Sequence, residues 1–410
     1  MQIVFVGPFG LQPKGTMSGR ALPLARALVA RGHAVTILIP PWDDPGRAGQ
    51  AWLDAGVQVV NVLLPPGLPL LFHLWLTVTL VRQALAWQPA AVHLFKPKAY
   101  AGLTHLALAW LRRRWRLPLR LVVDADDWEQ AWNEALPYPA WQKKFFAWQE
   151  RWGLRHADAI TVASRALAEL AESLAGVAPE RIIYVPNGHP GMTAAGRPPS
   201  AEFERRRRGA EAQRRMEKTP PPDEENILTI LLYSRLAEFP LEQMVGLVRR
   251  VAAQAPAARW LMVGRGFLGE EKILADKLQQ AGLGEYVEFA GWPVADVSAC
   301  FQAATVAVYP YAATLLNRTK CSVKLIELMA AGLPVVASAV GQNCEYIRHE
   351  VSGLLIPPAD DDAFAAAVVS LLNDPRRRQQ LGQAARQTIL EHYTWDRLAQ
   401  VVEKAYAPAA

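Results

Sequence analysis

Short apolar runs recur along the chain, each followed by a longer stretch whose apolar residues return at helical spacing. Residues 3–6 predict a buried strand, the Gly- and Pro-rich residues 7–16 a loop, 21–30 a helix ending near Gly32, and 35–39 a second strand. Further strands are predicted at 57–62, 91–94, 119–123, 159–162 and 182–185. After an interruption the rhythm restarts, with strands at 227–233, 260–263, 287–290, 305–309 and 335–337. The tail from 374 to 406 predicts two helices. Such alternation implies parallel sheets covered by helices, an α/β architecture. In open sheets of this type, ligands sit at the carboxyl ends of the strands.

The interruption, residues 196–226, is of low complexity, with arginines at 205–208 and prolines at 220–222. Its glutamates nearly cancel its arginines, so it reads as a linker with a charged surface insertion. At 410 residues two domains are the natural expectation. The pattern divides the chain into a first domain at 1–195, the linker at 196–226, a second domain at 227–390 and a terminal helix at 391–410. A hydrophobic content of 51% is enough for substantial cores. The net charge of +6 favours anionic partners such as phosphates or an acidic membrane surface. No Cys/His finger or RNP-like motif points to nucleic acid, and none is expected as a partner. Cys300, Cys321 and Cys344 lack metal-type spacing and suit a reduced cytoplasm. A strand at the very start leaves no room for a signal peptide, and the longest apolar stretch, 68–81, is too short to span a bilayer. Cytoplasmic location is therefore expected.

Three places carry candidate chemistry. The segment from Cys321 to Asn343 reads as a helix stopped by Gly332 and Pro334, then a short strand at 335–337. Its one helical carboxylate, Glu327, lies among Leu325, Ile326, Leu328 and Met329. A carboxylate so placed suits a sugar or ribose hydroxyl; the alternative is a solvated Glu327 paired with Lys324 one turn earlier. The run LVVDADDWEQAW sets Asp124, Asp126, Asp127 and Glu129 at a strand's carboxyl end. One of them, with Asp126 and Asp127 foremost, would accept a proton from an acceptor or bind sugar hydroxyls; an aspartate capping a helix is the alternative. Finally, Trp141, Phe145, Trp148 and Trp152 form one helical stripe beside Lys143, Lys144 and Arg151, and residues 110–116 interleave tryptophan with arginine. Such helices either lie in a bilayer interface or pack an aromatic face on a sheet.

The Glu327 segment, with its MAAGLPVVAS ending, resembles the nucleotide-sugar site of the retaining glycosyltransferases of family 4, also called group 1. The family pattern is two glutamates separated by seven residues. Glu327 matches the second, while Thr319 stands in place of the first. Ser322 and Val323 open the same helix and are carried over with Glu327 as substrate-binding. Val185-Pro186-Asn187-Gly188 resembles the turn that ends the family's N-terminal domain, Val263-Gly264-Arg265-Gly266 its base-pocket turn, and Ala290-Gly291-Trp292 its base-reading segment. The resemblance assigns Gly15 and Thr16 to a loop over the diphosphate and acceptor, and Arg235 to the diphosphate itself. The family's lysine after that arginine is replaced here by Pro240 and Leu241, so Lys320 and Lys324 are its candidate substitutes. The family's histidine near the DADD run is also absent.

The resemblance implies the GT-B fold, two Rossmann-like domains facing a cleft, with the C-terminal helix returning to the first domain. It implies transfer of a sugar, with retention, from a nucleotide-diphosphate sugar to a glycan or lipid-linked acceptor. Neither a cofactor beyond that donor nor a metal is implied. Peripheral contact with the inner face of a membrane is a further expectation. The alternatives are a nucleotide-sugar epimerase or phosphorylase of the same fold, or a non-catalytic partner subunit.

Overall fold

Strands β1 (Gln2–Val6) and β5 (Ala91–Phe95), largely apolar and buried at nearly every position, set the centre of the first sheet, where both faces are covered. The computed structural model describes residues 1–11, 15–65, 69–191, 228–292, 294 and 297–407. The linker expected at 196–226 lies outside them. The chain divides into two compact units, Met1–Gly188 with Arg318–Cys321 and Tyr393–Ala410, and His189–Asn317 with Ser322–His392.

In the first unit, β1 leads to α1 (Leu22–Ala30), β2 (Ala34–Ile39), β3 (Ala51–Asp54), β4 (Val57–Asn61) and α2 (Pro69–Ala86). After β5 come α3 (Ala99–Trp115), β6 (Arg120–Ala125), α4 (Glu129–Ala135), α5 (Ala140–His156), β7 (Ala159–Val162), α6 (Arg165–Ser173) and β8 (Ile182–Tyr184). The sheet order is β3-β4-β2-β1-β5-β6-β7-β8, parallel except for the β3–β4 pair. That antiparallel edge strand was not expected from the sequence, since its four residues alternate half-buried with exposed positions and give no apolar run. Alternate residues of β1 serve opposite cores. Ile3 and Phe5 pack with α1, whereas Val4 and Val6 pack with α2, α3, α5 and α6.

The second unit repeats the plan with β9 (Thr229–Tyr233), α7 (Leu241–Gln254), β10 (Arg259–Val263), α8 (Glu270–Gln280), β11 (Val287–Gly291), α9 (Val297–Ala303) and β12 (Val306–Tyr309). It continues through α10 (Leu315–Thr319), α11 (Val323–Ala330), β13 (Val335–Ser338), α12 (Asn343–Tyr346), β14 (Leu354–Ile356), α13 (Asp361–Asn373) and α14 (Pro375–His392). Its six strands run β11-β10-β9-β12-β13-β14, all parallel. The short β14 is a second strand that the sequence reading lacked.

The last helix, α15 (Trp395–Tyr406), belongs to the first unit. Trp395, Leu398, Ala399, Val402, Ala405 and Tyr406 are buried in the core that also holds α1. Both units are Rossmann-like, with strand order reversing beside the first strand of each. Such switch points open crevices at the carboxyl ends of the strands.

Candidate functional site

In the second unit the switch lies between β9 and β12. Tyr233 ends β9, and its hydroxyl donates to the Glu327 carboxylate of α11. The Lys324 ammonium lies 4.6 Å from the Tyr233 ring centre and 5.1 Å from that of Trp292. The Tyr233 and Trp292 rings are themselves 5.9 Å apart. Glu327 is therefore not a solvated partner of Lys324. Burial pushes its carboxyl up, against the Tyr233 hydrogen bond and the Lys324 charge, which pull it down. Its Oε2 is buried without a hydrogen-bond partner among the described residues. An acceptor left so costs about 1–3 kcal/mol, and an incoming hydroxyl removes that cost.

The glycine turns have a local reason. Gly264 has φ +152°, and a Cβ there would lie 1.9 Å from the Ser234 carbonyl oxygen. The turn after β10 thus presses on the turn after β9, and the Gly264 N–H donates to Gly291 O at 3.1 Å. Gly291 has φ +72° and turns the chain into Trp292, which is 40% exposed. Gly266 donates its N–H to Glu271 Oε2 at 2.9 Å.

Arg235 is exposed, its guanidinium carbon 5.5 Å from the Phe267 ring centre. Ser322 is buried before α11, its N–H donating to Gln342 Oε1 at 2.9 Å, and Val323 is exposed at the helix start. Lys320 is buried and groups with the first unit, whereas Lys324 groups with the second. Thr319 is buried, and its carbonyl accepts from Ser164 at 3.1 Å.

One buried carboxylate escaped the sequence reading here. Glu238, in the loop after β9, accepts from Ser234 Oγ at 2.6 Å and from the Tyr311 hydroxyl at 2.9 Å. Nothing in local spacing marks it, because Tyr311 lies on the far side of the β9–β12 switch.

In the first unit the four carboxylates of the DADDWE run separate into roles. Asp124 is a structural ion. Arg20 grips both its oxygens, at 2.8 and 2.7 Å, and also donates to the carbonyls of Val185 and Pro186. The Arg20 interactions hold Asp124 below its usual range despite burial. Thr161 also donates to Asp124, and His93 bridges Thr161 to the Tyr406 hydroxyl of α15.

Asp126, by contrast, faces the loop after β1. Thr16 Oγ1 donates to Asp126 Oδ2 at 2.9 Å, joining two residues singled out in the sequence; Gly15 beside it is exposed. The Lys96 ammonium lies 2.8 Å from Asp126, 3.3 Å from Asp127 and 2.6 Å from Glu129. Lys98 pairs with Glu129 as well. The carboxylates of Asp126, Asp127 and Glu129 are close enough to share a metal ion, within 4.8 Å. Here the lysine supplies the positive charge. Burial, reinforced by the neighbouring carboxylates and opposed by Lys96, pushes Asp126 up to about 6. Glu129 goes the other way: burial would raise it, but Lys96 and Lys98 hold it at about 2.

Neither aspartate caps α4. Glu150 of α5 accepts from the Glu129 and Gln130 N–H groups at 2.7 and 3.0 Å. Burial and the Glu129 charge push Glu150 up to about 8. Lys96 also has φ +60°, a strained conformation for a lysine. Its signal in the sequence was the pair of lysines flanking Pro97 just past a strand, a pattern the reading passed over.

Two family descriptions match this chain. "Glycosyl transferase 4-like domain" covers residues 15–188, and "Glycosyl transferases group 1" covers residues 228–374. An uncharacterized glycosyltransferase of Methanocaldococcus jannaschii is 31% identical over 150 residues, which is 36% of this chain and 37% of the relative. A phosphatidyl-myo-inositol mannosyltransferase of Mycobacterium leprae is 32% identical over 151 residues, 37% of this chain and 38% of that protein. The matched stretch thus spans well under half the length of either relative. Among solved structures, sucrose-phosphate synthase from Thermosynechococcus elongatus superposes with a TM-score of 0.70 at 20% identity, covering 99% of this chain and 98% of that one. That likeness is one of fold, the GT-B arrangement of two Rossmann-like domains. Residues 15–188 thus match a glycosyl transferase 4-like domain, and residues 228–374 a domain of the group 1 glycosyltransferases.

Proposed function

We propose that the protein transfers a sugar from a nucleotide-diphosphate sugar to a hydroxyl of a glycan or lipid-linked acceptor, with retention at the anomeric carbon. The observation that carries this is Glu327, with one oxygen buried and unpartnered beside Tyr233, Lys324 and the half-open Trp292 ring. On this reading Glu327 accepts from a ribose or sugar hydroxyl. Trp292 and the close-packed main chain at Gly264 and Gly291 take the base. Arg235 and Lys324 neutralise the charge that develops on the leaving diphosphate.

The acceptor belongs to the first unit. Asp126, held by Thr16 and Lys96, orients its hydroxyl, and the leaving phosphate takes the proton on the same face of the sugar. The reading invokes no metal and no cofactor; Lys96 and Lys98 supply two positive charges beside the three carboxylates around Asp126. The name of the mycobacterial relative, a phosphatidyl-myo-inositol mannosyltransferase, favours a hexose donor and a lipid-borne acceptor.

Donor binding is tested by melting the protein with UDP-glucose, GDP-mannose and ADP-glucose in turn. A ligand at 100 times its Kd stabilises the native state by about 2.7 kcal/mol. One donor should raise the melting temperature, and Glu327→Gln should remove that rise while leaving the ligand-free melting temperature equal or higher. No rise with any donor, or an unchanged rise in Glu327→Gln, overturns the assignment. Retention is read from the product's anomeric configuration by NMR.

A further inference from the structure

α2, α3 and α5 are three of the four helices, with α6, that cover one face of the first unit's sheet. Leu76, Leu80, Val81 and Ala84 of α2, Tyr100 and Leu108 of α3, and Leu154 of α5 all lie in the core beneath that face. The helices are neighbours in the order α2, α3, α5. Their opposite sides are exposed and carry large apolar residues. On α2, Leu71, Leu74, Trp75 and Val78 follow the i, i+3, i+4, i+7 spacing of one stripe, with Leu74 63% and Trp75 60% exposed. Trp110 of α3 is 64% exposed. On α5, Trp141 is 71% and Trp148 49% exposed, with Phe145 between them. Only Trp152 of the expected stripe turns inward, stacking on His156 at 4.2 Å and meeting His105 edge-on.

The exposed charge on α2, α3 and α5 has one sign, whereas α6 on the same face of the sheet exposes Glu169 and Glu172. α2, α3 and α5 contain a single acidic residue between them, Glu150, and it is fully buried. Arg82, Arg113, Arg114 and Lys144 are exposed on the same helices. A solvated helical layer ordinarily mixes both signs, and apolar stripes of this size are ordinarily covered. Tryptophans beside arginine and lysine, with no exposed acid among them, match a surface that is anionic at its headgroups and apolar just below. No described helix is long and apolar enough to cross a membrane.

We infer that the outer face of α2, α3 and α5 is a docking surface for an anionic lipid bilayer, with the aromatic stripes seated at the headgroup–acyl boundary. α2 widens the surface beyond the two tryptophan-rich segments visible in the sequence. The inference is independent of the proposed reaction, because vesicle binding is read without turnover.

The test is flotation of the full chain with vesicles of phosphatidylcholine alone and of phosphatidylcholine with phosphatidylglycerol. Binding is expected to the second and to weaken as salt rises. Each of Arg113→Glu and Lys144→Glu should weaken it at least about fivefold, the contribution of one basic residue near such a surface. The double variant Trp75→Glu, Trp148→Glu should abolish binding. All four side chains are exposed, so the melting temperature should stay at the wild-type value and a folding defect is excluded by the same samples. Absence of wild-type binding to anionic vesicles at low salt overturns the inference. So does wild-type affinity in the tryptophan double variant. A dimer in sedimentation velocity that the double variant converts to monomer would assign the face to a second copy instead, and would overturn it equally.

Discussion

Glu150 shows how one side chain can set a local structure and a pH response together. It is the acceptor for the first N–H groups of α4, which otherwise lack partners at a helix start. Its carboxyl sits at about 8 in the fold, above an ordinary value of 4.5. Its contribution to stability is therefore full below pH 4.5 and is lost as pH rises towards 8. His93 and His105, pushed down to about 4 and 3 by burial, act oppositely, but only below their ordinary value of 6.5. Asp126, at about 6, adds to the Glu150 slope near the lower end of the remaining window. Between pH 6.5 and 8 stability should therefore fall with rising pH, by up to about 1.4 kcal/mol per unit. Glu150→Gln should flatten that slope, as measured by urea unfolding at several pH values. An unchanged slope would show that Glu150 is not the titrating group. The Glu150 signal in the sequence was its isolation, the sole acid in an aromatic and basic helix, yet its partners on α4 could not be read from that.

Among elements, the turns after β9, β10 and β11 form one unit because their backbones touch. Gly264 is the contact point, its Cα facing the Ser234 carbonyl so closely that no side chain fits. Gly264→Ala must therefore move the β10 turn away from β9 or strain both. The expected cost is about 1–3 kcal/mol of stability, the usual range for a residue forced into a rarely populated backbone region. Donor-induced stabilisation should fall further than global stability does, since Tyr233 and Trp292 flank the displaced turn. Calorimetry with and without donor separates the two; equal loss in both would mean the turn only supports the fold. This motif was legible beforehand because glycine spacing is local. The edge strand β3 was not, since its exposed positions need no apolar run, and β14 is an apolar run of only three residues.

At the scale of the molecule, the first unit is completed by residues from the far end of the chain. Tyr406 hydrogen-bonds His93 at 2.8 Å across 313 positions, and the Ala405 carbonyl accepts from Arg120 at 2.6 Å. Trp395, Leu398, Val402 and Tyr406 are all buried. At about 1.5–3 kcal/mol for each such side chain, their loss approaches the whole stability of a domain, about 5–15 kcal/mol. Removal of residues 394–410 should therefore unfold the first unit while the second keeps its cooperative melt. Limited proteolysis would then leave a protected fragment near residues 228–392. Protection of the first unit in the truncated chain would refute this role for α15.

The alternation of strands and helices apart from β3 and β14, the division into two α/β halves, the glycine turns and the placing of Glu327 on a largely apolar helix followed from the sequence alone. Each is written in spacings of a few residues, where periodicity and backbone preference act directly. What the tertiary structure decided was partnership. Thr16 meets Asp126 across 110 positions and Arg20 meets Asp124 across 104. Lys96 enters a group of carboxylates that looked, as a string of letters, like a site awaiting a proton or a metal. Whether a carboxylate is a structural ion, a helix cap or a group poised near neutral pH depends on which distant charge reaches it and how far water is excluded. Neither is encoded in the spacing of its neighbours along the chain, because both are set only when the strand order brings separate loops to one end of a sheet.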